Sequence, residues 1–397
     1  MPELPEGWAL RPVKDVARVV GGGTPSTKNP AYWDGDVPWI TPKDLSDHQD
    51  RYISGGARSL TEEGLNGSSA RVLPTDTVLV SSRAPVGYVA IAARPLATNQ
   101  GFRSLVLKDG HSPEFFYYLL KSNTALLESR ASGSTFKELS GSSLKGIEFP
   151  IPPPAEQERI ADVLGALDRK IEANRRMNAT LDALARVVFR ERLGRYSPGD
   201  ALPDGWTWAS IYDVASVVYG APFKSKRFND EGRGLPLIRI RDLRTHAPEV
   251  YTDEEHPKGT VIEPGDIVVG MDGEFRAHVW TGLPSYLNQR VCQFAPKPDV
   301  PTTYVRLAIE RPLAFYERAK TGTTVIHLGK KDIDTFKVPL PPPSDLEAFE
   351  RATAPLLDRQ LLNARQNRTL TAIRDRVTPA LLSGMLRVDS LPRGEVA

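Results

Sequence analysis

Between Phe223 and Arg244 the chain carries seven basic residues, Lys224, Lys226, Arg227, Arg233, Arg239, Arg241 and Arg244, against three acids, Asp230, Glu231 and Asp242, a local charge of +4. Lysine and arginine at this density supply the point charges and forked donors that bind phosphate, although a merely solvated surface has the same look. The corresponding stretch earlier in the chain holds Thr24, Ser26, Thr27, Lys28 and Asn29, then Tyr32, Trp33 and Lys43. Those residues either clamp a nucleic-acid backbone or build a loop. A second patch, Ser81-Ser82-Arg83 with Gly87, aligns near Met271-Asp272-Gly273-Glu274-Phe275-Arg276. Its polar residues differ between the two places, as reading different bases requires. Two short polar loops, Ser134-Thr135 with Lys137 and Thr323-Thr324 with His327, Lys330 and Lys331, add groups able to meet phosphates. Asn99-Gln100 and Asn288-Gln289 carry amides that can bond adenine bidentately, yet their presence in both places favours a structural or backbone role.

Catalytic signatures fail where they can be checked. Asn29-Pro30-Ala31-Tyr32 is one residue away from an Asn-Pro-Pro-Tyr motif of amino-methyltransferases, and Gly21-Gly22-Gly23 leads into Thr-Pro where a cofactor loop would enter a helix. Gly329-Lys330-Lys331 has Thr324 five residues before it where a phosphate-binding loop needs glycine. The histidines show no metal-ligand spacing, and no paired-carboxylate site can be located. The expectation is a chain without catalytic residues and without a metal.

Composition bounds the class. The 397 residues, 40% hydrophobic and 25% charged, suffice for two or more domains with their own cores. Lys plus Arg number 51 and Asp plus Glu 49, so nucleic-acid binding must rest on local patches and a histone-like coat is excluded. The lone cysteine, Cys292, excludes disulfides within the chain and cysteine zinc sites. No run approaches the ~18 apolar residues of a membrane span, and no signal-like N-terminus is seen, so a cytoplasmic location is expected.

The elements that position these patches occur twice. Leu4-Pro5-Glu6-Gly7-Trp8 matches Leu202-Pro203-Asp204-Gly205-Trp206, and Asp15 to Val20 matches Asp213 to Val218, both 198 positions on. Asn99-Gln100 pairs with Asn288-Gln289, and Phe149-Pro150-Ile151-Pro152-Pro153-Pro154 with Val338-Pro339-Leu340-Pro341-Pro342-Pro343, both 189 positions on. Many pairs at ordered offsets mark an internal duplication. Each copy runs through short apolar runs between turn signals, a helix predicted over Ser112 to Ser129 or Thr302 to Ala319, a proline run, and about 40 residues almost free of Gly and Pro. The fold class is therefore α/β, with two globular domains separated by long helices. The predicted segments are 1–150, 151–195, 196–339 and 340–390, with a tail at 391–397.

Consecutive prolines make a stiff extended connector, after which a helix can start. In Ala155 to Leu193, Ile160, Leu164, Leu167, Ile171, Leu181, Ala185 and Val188 recur in steps of three and four, with Asn174 and Asn178 in the same seam. Phe349, Leu356, Leu370, Val377 and Leu381 repeat the pattern more weakly, with Asn363 and Asn367 at the equivalent positions. The two stripes are expected to face each other as an antiparallel coiled coil with pseudo-twofold symmetry, the asparagines fixing register or else lying solvated at the seam edge. At about 1.5 Å per residue such a helix spans roughly 58 Å, equal to roughly 17 bp of DNA at about 3.4 Å each.

With these residues in view, the whole chain resembles the specificity subunits of type I restriction-modification systems. The most specific matches are the proline boundary followed by Ala155-Glu156-Gln157-Glu158-Arg159-Ile160-Ala161, and Leu167-Asp168-Arg169-Lys170-Ile171-Glu172-Ala173-Asn174. The opening Leu-Pro-Glu/Asp-Gly-Trp, Gly22-Gly23-Thr24-Pro25-Ser26 with Tyr32-Trp33, Pro38-Trp39-Ile40 and Asn99-Gln100-Gly101-Phe102 also fit. Ser344-Asp345-Leu346-Glu347 departs from the pattern, lacking the Glu-Gln pair. The resemblance implies two target-recognition domains on two conserved helices, no chemistry in this chain, and binding of a bipartite double-stranded DNA sequence. It also implies assembly with two methyltransferase subunits and with restriction subunits, to which S-adenosylmethionine, ATP and magnesium would belong. Other classes remain open on the residues alone: a coiled-coil adaptor whose domains bind proteins, or a self-contained nuclease or methyltransferase.

Overall fold

Proline and glycine divide the first 150 residues into strands too short to stand alone, so they associate as small sheets around one helical layer. The computed structural model describes residues 4–46, 48, 50–133, 137–197, 199–320 and 326–390. It separates into two compact units, Met1–Glu172 with Leu370–Ala397, and Ala173–Thr369. The division falls inside both long helices, so each unit holds one globular region and part of the helix pair.

In the first unit a five-stranded sheet runs in the order Ala17–Gly21, Arg103–Leu107, Val78–Ser82, Val86–Ala92, Tyr52–Ile53. A three-stranded sheet of Arg58–Leu60, Trp33–Ile40 and Ala97–Thr98 lies within the same unit, and Ala9–Pro12 pairs with Glu148–Ile151. Helix Pro113–Ser122 starts under a Ser112 cap, whose Oγ accepts from the Phe115 N–H, and Phe115 through Leu120 are all buried. The predicted helix over Ser112 to Ser129 is in fact two, because Asn123 leaves helical geometry and its Nδ2 donates to the Leu119 carbonyl at 2.8 Å. The second region breaks likewise into Thr302–Ala308 and Glu310–Ala319. There Pro312, lacking an N–H and crowding the carbonyl four residues back, stops one helix from running through.

The second unit builds sheets of four and five strands where the first has five and three, but the strands the two share keep the same register. Ala17 lies opposite Leu107, and Ala215, 198 positions on, lies opposite Pro296, 189 positions on from Leu107. Ala9 opposite Ile151 becomes Thr207 opposite Leu340, and the parallel pair Trp39 and Ala97 becomes Leu237 and Tyr286. Register is set by which face of each strand is buried, so a slip of one residue in either copy would have exposed its core face.

The two long helices are Pro154–Arg192 and Pro343–Leu382. In the first unit Ile160 and Leu164 are buried in a core shared with Leu381, Leu382, Trp8 and Phe149. Ion pairs run in opposite order along the first helix and the chain it faces: Asp168 meets Arg374 of the second helix at 2.7 Å, and Glu156 meets Arg387, just past that helix's end, at 2.7 Å. Asp168, buried yet absent from the predicted seam, also accepts the Tyr118 hydroxyl at 2.7 Å. Burial first, then that carboxylate, raises the Tyr118 phenol above its ordinary pKa. Ile171 is buried and Leu167 half-buried beside it. The Glu156-Gln157 pair is used internally. Glu156 accepts from the Trp8 indole at 3.0 Å, and Gln157 joins the Ser112 N–H and the Pro152 carbonyl. At the equivalent place in the second unit Leu346 is simply buried.

In the second unit the asparagines meet across the seam. Asn174 Nδ2 donates to Asn367 Oδ1 at 2.8 Å and to Gln366 Oε1 at 2.9 Å, while Asn363 Nδ2 donates to Asn178 Oδ1 at 2.8 Å. Because 363 and 367 are the repeat equivalents of 174 and 178, these are one contact made twice. Asn178 and Gln360 also exchange side-chain to backbone hydrogen bonds at 3.1 and 3.0 Å. Asn174 and Asn363 are buried, whereas Leu181, Leu356 and Leu370 are only half-buried, so the middle of the seam is polar at its centre. No helix among the described residues is long and apolar enough to cross a membrane.

Candidate nucleic-acid interface

Three loops at one edge of each globular region are tied together by backbone hydrogen bonds. In the first unit Gly23 N–H donates to Thr98 O, Ser82 N–H to Gly101 O at 2.7 Å, and Leu139 N–H to Ser82 O at 2.9 Å. In the second, Ala221 N–H donates to Leu287 O, Met271 N–H to Arg290 O at 2.9 Å, and Leu328 N–H to Met271 O at 2.7 Å. The Ser82 and Leu139 bonds recur 189 positions on. Asn99 Oδ1 accepts from Gly101 N–H and Asn288 Oδ1 from Arg290 N–H, so both asparagines shape the same turn. That is the structural role their repetition suggested. Gln100 Oε1 accepts from the Thr24 hydroxyl, joining the first loop to that turn.

The candidate contacts divide by what holds them. Thr24, Ser26, Thr27 and Lys28 are exposed on the first loop, and Lys43 is exposed beside a cleft of about 400 Å³ that Thr41, Arg83, Tyr88 and Asn99 also line. Tyr32 and Trp33 build the loop: Trp33 is buried, its indole N–H bonds Ser26 O, and the Arg58 guanidinium lies 3.5 Å over its ring. In the second unit Lys224, Lys226 and Arg241 are exposed, with no carboxylate partner for their side chains found among the described residues. Arg227 is committed to Asp253 at 2.8 Å and Arg239 to Asp242 at 3.3 Å. The Arg227 hydrogen bond holds the Asp253 carboxyl below its ordinary pKa. Lys330 pairs with Asp334 at 3.0 Å one helical turn away.

Arg276 is not brought to this edge. It is clamped by Glu317, and its side chain lines a separate cleft of about 850 Å³ with Asp182, Arg186, Arg306 and Glu310. The Glu317 hydrogen bond raises the Arg276 pKa above its ordinary value. Ser134, Thr135, Thr323 and Thr324 lie outside the described residues. Ser81 is spent internally, its hydroxyl donating to Pro85 O and accepting from Tyr88 N–H.

Sequence reasoning missed Glu138, Arg103 and Arg290. Glu138 meets Arg103 at 2.8 Å and Arg83 at 3.7 Å, and Arg290 meets Asp272 at 3.3 Å. The signal was present in the duplication: Arg83 and Glu138 align with Asp272 and His327, so the acid changes places between the two positions.

Comparison with known proteins agrees with this architecture. A family model described as type I restriction modification DNA specificity domain matches twice, over residues 5–183 and 203–349. The specificity subunit of the type I restriction enzyme MjaIX from Methanocaldococcus jannaschii is 33% identical, the alignment covering 98% of this chain and 96% of the relative. The EcoBI specificity subunit of Escherichia coli is 35% identical over 36% of this chain and 30% of its own. In fold, the crystal structure of the type I restriction-modification S subunit from M. genitalium superposes with a TM-score of 0.58 at 17% identity, covering 96% of this chain and 97% of that one.

Proposed function

This chain belongs to the family of type I restriction-modification DNA specificity subunits, and on that premise we propose that each of its globular regions reads one half of a split, asymmetric double-stranded DNA sequence. The observation that carries the reading is the loop edge itself: one backbone frame appears twice with its hydrogen bonds intact, while the side chains it presents differ. A repeated frame with diverged side chains suits two half-sites of unlike sequence. Lys28, Lys43, Lys224, Lys226 and Arg241 hold the phosphates, a role that needs only reach and charge.

The chain itself contributes no bond-making group. Methyl transfer, and cleavage driven by ATP with magnesium, belong to methyltransferase and restriction subunits that it gathers. Two methyltransferase subunits dock on the helices. Met177, Leu184 and Val187 on the first helix and Leu362 on the second are exposed, roughly 80–160° around their helices from the asparagine seam. An amphipathic pair with a second apolar stripe presents a surface for partner helices.

The test is genome-wide mapping of methylated bases in a methylation-free host carrying this chain with its methyltransferase partner, against the partner alone. A single bipartite motif appearing only with this chain is the expected result. Soluble, co-purifying proteins that leave the DNA unmodified would move the chain to a protein-binding scaffold.

A further inference from the structure

Within the loop edge each unit builds the same small device from different residues. A carboxylate is gripped on one side by a short-range base: Arg103 holds Glu138 at 2.8 Å, and His327 Nδ1 holds Asp272 at 2.6 Å. On its other side the carboxylate loosely steers an arginine, Arg83 at 3.7 Å in the first unit and Arg290 at 3.3 Å in the second. The steered arginine is the more exposed partner of the carboxylate each time, 37% against 22% for Arg103 and 56% against 46% for His327. Arg103 is further fixed by donating to the Gln100 and Phe102 carbonyls. Because a carboxylate only accepts, His327 must carry its hydrogen on Nδ1.

The acid changes loops between the copies while the frame beneath it does not. Position 83 is arginine and position 138 glutamate, whereas their equivalents are Asp272 and His327. With the acid moved to 272, the steered arginine comes from the 288–290 turn, where the first unit has Gly101. A loop lock needs only opposite charges and gives no reason to leave one cation exposed at long range. An arginine oriented by a carboxylate and left with free N–H groups is the geometry that donates in parallel to two acceptors on a base edge.

We infer that Arg83 and Arg290 are the specificity-determining residues of the two units, each steered by its carboxylate to donate bidentately to the O6 and N7 acceptors of a guanine. One guanine stands in each half-site, at positions that differ because the arginines issue from different loops. This rests on the proposed reading of split DNA sequence by the two units.

The experiment maps methylation motifs for the co-expressed methyltransferase complex with Arg83→Gln, Arg83→Lys, Arg290→Gln, Arg290→Lys, Glu138→Gln and the control Lys226→Gln. Removing a bidentate pair of hydrogen bonds should relax one guanine by roughly 10- to 100-fold. Arg83 variants should relax a guanine in one half-site only, and Arg290 variants a guanine in the other. The lysine variants keep the charge and the loop contact, so they separate base reading from folding and should relax the same guanine. Glu138→Gln should keep the guanine preference in sequence while lowering its strength, and Lys226→Gln should lower methylation without altering the motif. Lysine variants that keep the wild-type motif, or arginine variants in an intact complex that leave every base unchanged, would overturn the inference. A wild-type complex with no bipartite motif would instead defeat the reading beneath it.

Discussion

Truncating Asn363 to alanine removes the donor that reaches Asn178 Oδ1 at 2.8 Å across the helix seam. Asn363 is 2% exposed, so water does not replace the missing partner, and the expected cost is about 1–3 kcal/mol. Asn178→Ala should cost less, about 1 kcal/mol, since Asn178 is half-buried. Were the contact direct, the double variant would fall short of the sum by about 1 kcal/mol, the coupling of one neutral hydrogen bond. Replacing Asn174, Asn178, Asn363 and Asn367 together by leucine should leave stability equal or higher, because the amides that pair with one another across the seam are removed together, while Gln366, which also accepts from Asn174, is exposed and turns to solvent. Urea unfolding of the five proteins gives these values from the midpoints at constant slope. A coupling below about 0.3 kcal/mol would refute the reasoning, as would a four-leucine chain markedly less stable than the parent.

Two further predictions follow from electrostatics. His246 lies 5.9 Å from the His278 ring and 5.2 Å from Trp280, and burial pulls its pKa down to about 4. The unfolded imidazole titrates near 6.5, so below that pH the unfolded chain binds the proton more readily, and the stability present above 6.5 is lost as the pH falls toward 4. The gap corresponds to about 3 kcal/mol at most, and His246→Asn should flatten the pH dependence of the urea midpoint, read by tryptophan fluorescence. On DNA, the triple variant Lys224→Gln, Lys226→Gln, Arg241→Gln should reduce the slope of log K against log salt by about 0.9 for each phosphate no longer neutralised, measured by titration at several salt concentrations. An unchanged slope would place those side chains off the backbone.

The duplication was legible to the residue because matching offsets in sequence became matching registers in the sheets, from Ala17 opposite Leu107 to Ala215 opposite Pro296. Asparagines at equal places in two heptads likewise foretold a paired contact. The helix breaks at Asn123 and before Pro312 were less visible, since apolar spacing continues through both and only local capping or a missing N–H interrupts it. Charge density in the second region overstated the interface: Arg227 and Arg276 are taken by Asp253 and Glu317, 26 and 41 residues away, and such pairing leaves no trace in local spacing. Conversely, Glu138 and Arg290 gain meaning only when the two copies are compared position by position.

The end of the chain completes the beginning. Leu381 and Leu382 share a core with Trp8, Val13 and Ile160, and Arg387 meets the same Glu156 that binds Trp8. The other unit is drawn from one continuous stretch, Ala173–Thr369. On the ribosome the usual order is therefore inverted. The unit containing the N-terminus waits, with apolar positions of its core unfilled, until roughly two hundred further residues are made, about 10–40 s at typical elongation rates. The later-coded unit can close first. A nascent chain of this protein thus exposes an unfinished hydrophobic surface through most of its synthesis, and stalling near residue 370 would leave one unit formed and the other unable to finish.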